Sequence, residues 1–364
     1  MAASAPLVMM MAGGTGGHVY PALAVAGELR DRGYRVEWVG TERGLEHRVV
    51  PAANIELHCL PMRGIRGKTP LDKLLGVAFL ALAALEALVL VLRRSPRCVV
   101  GMGGYAAGPA GVAAWLLRKP LLIHEQNAVA GTTNRMLAPL AKKILAGFPA
   151  AFSDDIDFEV PGNPVRKDLV QAREAAQYTF DGSRPLRLLV LGGSLGAQPI
   201  NEVVPAVVRA LADEGRALSV WHQTGEGHAD GVRKDYGELI EGDLRVAPFI
   251  EAMHEAYAWA DLVLCRAGAL TVAELSIMGR PAVLVPLPHA IDDHQSANAR
   301  ALEAAGGAVL LPQREMDVDA VVTLVRSYIE EPGRLAEMAA ASRAAATPEA
   351  TQRVADCCEE LMHA

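Results

Sequence analysis

The pattern of hydrophobic and polar positions repeats once along the chain. Residues 7–12 form an apolar run, which a glycine-rich turn at 13–17 and a segment with helical periodicity follow. Residues 186–191 start the same series, with a second glycine-rich turn at 192–197 and a second helical segment. A strand, a glycine turn and a helix in this order open a doubly wound α/β domain. The repeat therefore predicts two such domains.

Further short apolar runs continue the pattern in each half. Buried strands are predicted at Val36–Val39, Cys98–Gly101, Leu121–His124, Ser219–Gln223, Leu262–Cys265 and Ala282–Pro286. Helical segments lie between them, as in a parallel sheet with right-handed crossovers. We therefore predict an α/β protein with two Rossmann-like domains that face each other across a cleft. Such sheets bind ligands at the carboxyl ends of their strands.

Proline and glycine indicate where the predicted domains end. The segment Val160-Pro-Gly-Asn-Pro-Val165 interrupts any regular element, so the linker is placed there. Thr347-Pro-Glu predicts a last helix with Thr347 as the N-cap and a proline at the first helical position. The predicted division is residues 1–165, residues 166–345 and a C-terminal helix within 346–364.

Residues 74–92 are almost uniformly apolar over a length that would span a bilayer. Glu86 lies within this segment, and a carboxylate in hydrocarbon costs roughly 3 kcal/mol or more. A membrane span here would also separate one strand of the sheet from the next. A buried or interfacial helix is therefore favoured over a transmembrane one. Four upstream basic residues could contact anionic headgroups: Arg63, Arg66, Lys68 and Lys73.

Charge is distributed unevenly along the 364 residues. The net charge of −7 divides into +4 for residues 1–165 and −11 for the remainder. An acidic half argues against a general nucleic-acid binder. A basic half beside an apolar segment indicates an anionic membrane surface, although the same charge could serve solubility alone.

Cysteine usage and the N-terminus favour a cytoplasmic protein. The five cysteines form no CxxC pair, and no His/Cys cluster has metal-ligand spacing, so reduced thiols are expected. Residues 1–11 lack the basic region and the cleavage site of a signal peptide, and their apolar run leads directly into the glycine turn. They are interpreted as a first strand.

Three polar loops follow predicted strands of the first half. Gly13–His18 would present backbone amides and a helix N-terminus to an anion. His18 is a candidate general base, and its alternative role is to cap the helix. Gly101–Tyr105 and His124–Asn127 follow two further strands at the same edge. Glu125 is the second candidate base, with a solvated loop carboxylate as the alternative.

The second half carries a corresponding set of loops. Gly192–Ser194 repeats the anion-binding pattern, and Gly268–Thr271 would present amides at a helix N-terminus suited to a diphosphate. Glu274 could accept both hydroxyl groups of a ribose, although a glutamate in a first helical turn also favours the helix dipole. Asp292–Asn298 adds polar groups suited to sugar hydroxyls.

Several familiar motifs fail on spacing or context. Residues 63–69 lack the first glycine of a Walker loop, and Val19 stands where a dinucleotide-binding G-x-G-x-x-G needs its last glycine. Glu37, about twenty residues beyond the first loop, keeps an NAD-dependent oxidoreductase open as an alternative. Asp155-Ile-Asp157 and Asp317-Val-Asp319 match a metal-binding D-x-D but follow no convincing strand, so both are interpreted as coincidence.

Seven motifs occur in one characteristic order: GGTGGHVYPALA, GMGGYAAGPAG, HEQNAVAGTTN, GNPVR, GGSLGA, CRAGALTVAE and DDHQSANA. Their order resembles that of the MurG family, the UDP-N-acetylglucosamine–N-acetylmuramyl-(pentapeptide) pyrophosphoryl-undecaprenol N-acetylglucosamine transferases, over essentially the whole chain. The resemblance implies the GT-B glycosyltransferase fold, with the C-terminal helix packed back on the first domain.

The resemblance also implies an activity. It is that of an inverting, metal-independent hexosyltransferase without a cofactor, which moves N-acetylglucosamine from UDP-GlcNAc to the 4-hydroxyl group of lipid I. The β-1,4-linked product, lipid II, serves peptidoglycan synthesis and so cell shape and division. The implied location is peripheral, on the cytoplasmic face of the bacterial inner membrane, with cell-wall synthesis proteins as possible partners. Besides the transferase and the oxidoreductase, a third functional class stays open, that of a nucleotide-sugar-binding protein without catalytic activity.

The motif matches carry site residues onto this sequence. The implied UDP-GlcNAc contacts are Thr15, Gly16, Gly17, Asn127, Arg166, Ser194, Ile250, Ala269, Leu270, Thr271, Val272, Ala273, Glu274 and Gln295. The implied acceptor contacts are Gly14, His18, Gly103, Gly104 and Tyr105. Arg166 and Ile250 would border the uracil, and Glu274 would bind the ribose. His18 is the hypothesised base, with Glu125 as its rival.

Overall fold

A computed structural model describes residues 5–62, 70–193, 195–241, 243–288 and 293–364. The chain forms two compact units. Unit 1 comprises Met1–Arg166 with Glu349–Ala364, and unit 2 comprises Lys167–Pro348. The expected strands at Cys98–Gly101, Leu121–His124, Ser219–Gln223 and Leu262–Cys265 all lie within observed ones.

Unit 1 alternates strands and helices and ends with the last helix of the chain. Its elements are β1 (Leu7–Met11), α1 (Gly16–Asp31), β2 (Arg35–Gly40), α2 (Glu46–Ala52), β3 (Glu56–Cys59), α3 (Pro70–Arg94), β4 (Cys98–Gly101), α4 (Ala107–Leu116), β5 (Leu121–Glu125), α5 (Thr132–Leu137), β6 (Lys143–Ala146) and, after unit 2, α14 (Ala350–His363).

Unit 2 has the same alternation. Its elements are α6 (Lys167–Ala172), β7 (Arg187–Leu191), α7 (Gln198–Asp213), β8 (Ser219–Gln223), α8 (Ala229–Tyr236), β9 (Leu244–Ala247), α9 (Met253–Trp259), β10 (Leu262–Cys265), α10 (Ala269–Met278), β11 (Ala282–Leu284), α11 (His294–Ala304), β12 (Ala308–Leu310), α12 (Val318–Glu330) and α13 (Pro332–Ala344).

Each unit contains one six-stranded parallel sheet. The strand order is β3-β2-β1-β4-β5-β6 in unit 1 and β12-β11-β10-β7-β8-β9 in unit 2. The first strand of each unit, β1 or β7, is central, so the order reverses beside it and both sheets are doubly wound. The predicted α/β class with two Rossmann-like sheets is therefore confirmed.

The continuous apolar run of β1 is explained by burial on both faces of the sheet. Val8 and Met10 belong to one core cluster, and Met9 and Met11 to another. Because successive side chains of a strand point to opposite faces, a strand covered on both sides has no polar face. The edge strands lack this signal: β3 has no fully buried residue, and sequence patterning missed it together with β6, β9 and β12.

The helix α14 packs on unit 1, against α1. Arg32, the residue that follows α1, forms ion pairs with Asp356 at 2.7 Å and with Glu359 at 3.0 Å. Cys357 and Cys358 are buried in the core cluster that also contains Val8. The prediction that Thr347 caps this helix is wrong, because a turn intervenes and the helix begins at Ala350. The proline there belongs to the turn where unit 2 ends.

The apolar segment 74–92 forms the middle of α3, which has one buried stripe. Ala83, Ala87 and Val91 recur every four residues and are fully buried, and α3 packs against α4. In the part of the chain that the structure describes, no helix has the length and hydropathy needed to cross a membrane. Arg63, Arg66 and Lys68 and the side chain of Lys73, the expected headgroup contacts, lie outside the described residues.

Candidate functional site

The first glycine turn ends in an open helix N-terminus. Thr15 is the N-cap of α1, with extended backbone (φ −105°, ψ 163°) and no capping hydrogen bond from its side chain. The first amide groups of a helix have no intrahelical acceptor and carry a partial positive charge. Gly14 and Thr15 are exposed, and Gly16, Gly17 and His18 are half-buried. This arrangement suits an anionic group at the carboxyl edge of the sheet.

A second glycine loop of unit 1 lies directly against the first. Gly104 has a positive φ of 87°, and a Cβ atom there would collide with the backbone of Gly13. A Cβ atom on Gly103 would lie 2.8 Å from His18 Nδ1. Tyr105 is 64% exposed at the end of this loop. The structure therefore brings together the predicted acceptor residues of both loops, and glycine is required for the close approach.

A buried carboxylate that sequence analysis missed supports the first loop. Glu46, at the start of α2, is fully buried. Its Oε2 accepts a hydrogen bond of 2.9 Å from the Gly14 amide, and its Oε1 accepts from the Thr41 amide and hydroxyl at 2.9 and 2.7 Å. The Gly14 contact fixes the backbone of the anion-binding turn, and the two Thr41 contacts hold the carboxylate in place. Only tertiary proximity marks Glu46, since nothing in its local sequence distinguishes it from a surface glutamate.

A chain of hydrogen bonds runs from His18 into the interior of unit 1. His18 Nδ1 lies 2.7 Å from Gln126 Oε1, and Gln126 Nε2 lies 3.0 Å from His124 Nδ1. His124 Nε2 donates to the carbonyl oxygen of Gly162 at 2.9 Å. Burial lowers the pKa of His124 to about 4, so this histidine is neutral at physiological pH. Gln126 was also missed as a separate site residue.

Glu125, the alternative candidate base, is buried and accepts hydrogen bonds at both of its carboxylate oxygens. Its Oε1 accepts hydrogen bonds from the Asn127 amide and side chain at 2.9 and 3.2 Å. Its Oε2 accepts from the Gly131 amide at 3.0 Å and from Asn134 Nδ2 at 2.8 Å. A carboxylate has about four acceptor positions, and all of them are used here. These contacts give Glu125 a role in holding the loop after β5.

The second glycine turn closes against a neighbouring loop of unit 2. The Gly192 amide donates to Gln223 O at 3.0 Å, and Gly196 has a positive φ of 78° where its backbone meets Thr224 and Gly225. The predicted diphosphate contact Ser194 lies outside the described residues.

The helix α10 presents an open N-terminus in unit 2. Gly268 is its N-cap, with extended backbone and no capping side chain, so the amides of Ala269–Thr271 form its first turn. Glu274 lies in the second turn and not in the first, which removes the dipole explanation for this residue. Its Oε2 accepts a 3.0 Å hydrogen bond from the Tyr257 hydroxyl group, and both side chains are buried. Val272 and Ala273 follow on the same helix.

The remaining residues predicted to contact UDP-GlcNAc lie elsewhere in the two units. Gln295 is half-buried on α11, and its Oε1 accepts from the Leu287 amide at 2.9 Å. Ile250 is buried, in the turn between β9 and α9. Arg166 is half-buried and is the last residue of the first stretch of unit 1. Asp292 lies outside the described residues.

The structure gives Glu37 and Asp317 roles other than cofactor or metal binding. Glu37 lies in the middle of β2, where His58 Nε2 pairs with it at 2.9 Å and Arg94 Nε at 3.4 Å. An acid that binds the ribose of NAD belongs at the end of this strand, so the oxidoreductase alternative loses its residue. Asp317 caps α12 by accepting from the Ala320 amide at 2.8 Å.

One acidic cluster of the described residues could bring three ligand atoms together, those of Glu37, Glu56 and His58. Arg94 pairs with both carboxylates, so their negative charge is already compensated. The cluster is therefore an ion-pair network at the edge of the sheet, away from the glycine loops.

Comparison with known proteins assigns most of the chain to one family. Residues 8–146 match the glycosyltransferase family 28 N-terminal domain, and residues 187–354 match its C-terminal domain. A relative from Alkalilimnicola ehrlichii is 51% identical over 97% of this chain and 98% of its own length. Its name is UDP-N-acetylglucosamine--N-acetylmuramyl-(pentapeptide) pyrophosphoryl-undecaprenol N-acetylglucosamine transferase, and one from Thiobacillus denitrificans with that name is 48% identical.

One solved structure is similar over nearly the whole chain. The crystal structure of Acinetobacter baumannii MurG superposes with a TM-score of 0.82 at 40% identity and covers 98% of this chain and 99% of its own. The chain belongs to glycosyltransferase family 28 and, within it, to the MurG family. A glycosyltransferase of kitacinnamycin, 18% identical with a TM-score of 0.71, shares the fold alone. The GT-B fold and the family predicted from the motif order are thus confirmed.

Proposed function

We propose that this protein transfers N-acetylglucosamine from UDP-GlcNAc to the 4-hydroxyl group of lipid I and so makes lipid II for peptidoglycan synthesis. The observation that carries the proposal is 51% identity across 97% of the chain to a transferase named for this reaction. Two open helix N-termini, those of α1 and α10, support it, because both substrates contain a diphosphate.

The donor is bound mainly by unit 2. The amides of Ala269–Thr271 and the loop at Ser194 bind the diphosphate, and Glu274 accepts hydrogen bonds from the ribose hydroxyl groups. Tyr257 already occupies one side of Glu274 Oε2 and fixes the carboxylate plane. The oxygen of Gln295 is engaged by Leu287, so its amide NH₂ group faces a sugar hydroxyl.

The remaining donor contacts follow the family pattern. Arg166 and the backbone of Ile250 border the uracil, Leu270, Val272 and Ala273 complete the turn of α10, and Thr15, Gly16, Gly17 and Asn127 contact the sugar. The acceptor is bound by unit 1 through Gly14, His18, Gly103, Gly104 and Tyr105.

His18 acts as the general base. It removes the proton of the acceptor's 4-hydroxyl group as that oxygen bonds the anomeric carbon, and the bond from that carbon to UDP breaks with inversion. The charge that develops on the leaving diphosphate is stabilised by preformed amides and the α10 dipole, so no metal ion is required. His18 is half-buried at the loop edge, whereas all acceptor positions of Glu125 are filled, which favours His18 as the base.

The exposed face of α3 and α4 contacts an anionic membrane surface. This face is defined by Leu82, Leu85, Val89 and Leu92 of α3 and Val112, Trp115 and Leu116 of α4, all exposed. The two helices pack against each other, apolar surface grouped in this way marks an interaction site, and lipid I is held in a membrane. Exposed Arg93 and Arg118 beside it suit anionic headgroups on the cytoplasmic face of the inner membrane.

The test is transfer of radiolabelled N-acetylglucosamine from UDP to a short-chain lipid I analogue, with and without EDTA. Equal formation of labelled disaccharide lipid in both reactions supports the transferase and the metal-free mechanism. Loss of product only with EDTA keeps the transferase and overturns the metal-free mechanism. If folded protein binds UDP-GlcNAc but makes no product, the proposed acceptor is wrong.

A further inference from the structure

We infer that Gln126 is a positioning residue that holds His18 in the tautomer with hydrogen on Nδ1, and so leaves Nε2 as the basic nitrogen. The inference rests on the proposed role of His18 as the base. It assigns a function to Gln126 and to the carbonyl group of Gly162, neither of which belongs to the predicted contact set.

The assignment starts at the interior end of the hydrogen-bond chain. The carbonyl oxygen of Gly162 can only accept, so His124 Nε2, 2.9 Å away, must carry hydrogen. His124 is fully buried and neutral, which leaves its Nδ1 as an acceptor. The tautomer of His124 is therefore fixed by the backbone of the linker motif.

The second step fixes the orientation of the Gln126 amide group. One end of this group lies 3.0 Å from His124 Nδ1 and 2.9 Å from the carbonyl oxygen of His124, and both of these atoms are acceptors. The end that faces them must be the NH₂ group, since a flipped amide would place its oxygen against two acceptors. Gln126 is almost fully buried, and Asn163 Nδ2 donates to its main-chain oxygen at 2.9 Å.

The third step reaches His18. Because the NH₂ end of Gln126 faces His124, its Oε1 faces His18 Nδ1 at 2.7 Å. A carbonyl oxygen only accepts, so His18 Nδ1 must donate and a neutral His18 carries its lone pair on Nε2. A general base needs an unprotonated nitrogen at the reacting proton, so the tautomer decides whether His18 can act. The wrong tautomer of a catalytic histidine is known to cost orders of magnitude in turnover.

The tautomer can be observed directly by nitrogen-15 NMR of full-length protein labelled on its histidine side chains. His18→Gln assigns the signal, which is recorded above the pH where His18 protonates. We expect a protonated Nδ1 and an unprotonated Nε2 for His18 in the unaltered protein. In Gln126→Met, which has a similar shape but no amide, we expect a mixture of tautomers.

Activity is measured on the same variants. Gln126→Met should lower kcat, but by less than the roughly 100-fold that complete loss of a positioned base costs, with little change in KM for UDP-GlcNAc. In Gln126→Glu the buried carboxyl group, in its protonated form, can donate to His124 Nδ1 and still accept from His18 Nδ1, so this variant should keep the His18 tautomer and exceed the methionine variant in kcat. The matched control is Gln177→Met, the same change on an exposed side chain of unit 2, which should leave both properties unaltered.

Two outcomes would overturn the inference. One is an unprotonated Nδ1 on His18 in the unaltered protein. The other is a loss of kcat in Gln126→Met while the His18 signal stays as it was, because Gln126 would then act on folding alone. A failure of the proposed base is distinguishable: His18→Ala would keep full turnover, whatever the tautomer spectrum shows.

Discussion

The hydroxyl group of Tyr257 donates a hydrogen bond to Glu274 Oε2 over 3.0 Å in the interior of unit 2. The bond ties α9 to the second turn of α10, and Tyr257 and Glu274 are 1% and 7% exposed. In the role proposed for Glu274, a carboxylate that accepts two ribose hydroxyl groups binds best when its plane is fixed before the nucleotide arrives. Tyr257 supplies that constraint.

Tyr257→Phe should therefore weaken UDP-GlcNAc binding by about 1 kcal/mol, roughly a fivefold rise in Kd, through the loss of one buried hydrogen bond. Titration calorimetry measures this. Tyr328→Phe is the matched control, because the buried Tyr328 hydroxyl has no hydrogen-bond partner in the described part of the chain. Equal Kd values for the two variants would show that Tyr257 does not orient Glu274.

Glu125→Gln tests whether this residue serves the fold or the proton transfer. The substitution places an NH₂ group where two hydrogen-bond donors now meet a carboxylate oxygen. We expect the free energy of unfolding to fall by about 2 kcal/mol, because buried donors lose their acceptor. Urea denaturation monitors this loss, with His18→Ala as the comparison.

The half-buried His18 should be replaced at little cost in stability and large cost in kcat. Loss of a general base lowers kcat by about 100-fold or more. If the Glu125→Gln protein is stable and its kcat falls by that much, Glu125 is the base.

How well each strand could be predicted from the sequence depends on how deeply it is buried. Cys98–Gly101 and Leu262–Cys265 were located to the residue because central strands buried on both faces leave a continuous apolar run. The expected strand Ala282–Pro286 ends at Leu284, where the pairing with β12 stops. The half-buried edge strand Glu56–Cys59 leaves no such run and was missed.

The site shows the same distinction. His18 and Glu274 stand in local motifs, so their sequence neighbourhood points to them. Glu46 reaches Gly14 from 32 positions along the chain, and Gln126 reaches His18 from 108. Contacts between residues so far apart in sequence form only in the folded sheet, so a single sequence does not show them. The candidate ligand-binding residues could thus be named from the sequence, whereas the residues that hold them in place could not.

Gly104→Ala should disrupt the contact between the two glycine loops of unit 1. The new Cβ atom would collide with the backbone of Gly13, and the positive φ of 87° is unfavourable for alanine. We expect a clear fall in the melting temperature and a rise in KM for the lipid I analogue. Gly27→Ala, at an exposed site of α1 with open space around its Cβ, is the control and should stabilise the helix by about 0.5–1 kcal/mol. Similar destabilisation in both variants would contradict the proposed contact.

The stability of the protein should depend on pH through two buried histidines. Burial lowers the pKa of His124 to about 4 and that of His222 to about 3, whereas an unfolded histidine titrates near 6.5. Below about pH 6.5 the unfolded state therefore binds protons that the folded state does not. Stability should fall as the pH falls, by about 1.4 kcal/mol per pH unit for each histidine, and this loss should level off near the folded pKa values.

Urea unfolding at a series of pH values from about 7 to about 5 checks this prediction. His222→Gln removes one of the two titrations, so the pH dependence of unit 2 should become shallower by about 1.4 kcal/mol per unit. The variant should be less stable than the unaltered protein near neutral pH, because it loses the 2.9 Å contact with Tyr236 or the 3.0 Å contact with Asn201. An unchanged slope would mean that His222 binds its proton as readily in the folded protein as in the unfolded one.

Replacing apolar side chains on the exposed face of α3 and α4 should weaken membrane binding. Leu85 and Trp115 are 58% and 50% exposed, and each would bury apolar area on contact with a lipid surface. Replacing both with serine should lower partitioning onto vesicles that contain phosphatidylglycerol by at least about tenfold, since burial of one such side chain is worth about 1.5–3 kcal/mol. Sedimentation with vesicles measures the partitioning. Met136→Ser, an equally apolar change at a 70% exposed site on α5, is the control.

The same experiment separates apolar contact from headgroup attraction. Exposed Arg93 and Arg118 lie at the ends of α3 and α4, where raised salt should screen their attraction to anionic lipid. Binding should therefore weaken with salt and with neutral lipid, while transfer to a water-soluble lipid I analogue stays unchanged in the double serine variant. If that variant binds vesicles as tightly as Met136→Ser does, the membrane contact lies elsewhere on the protein.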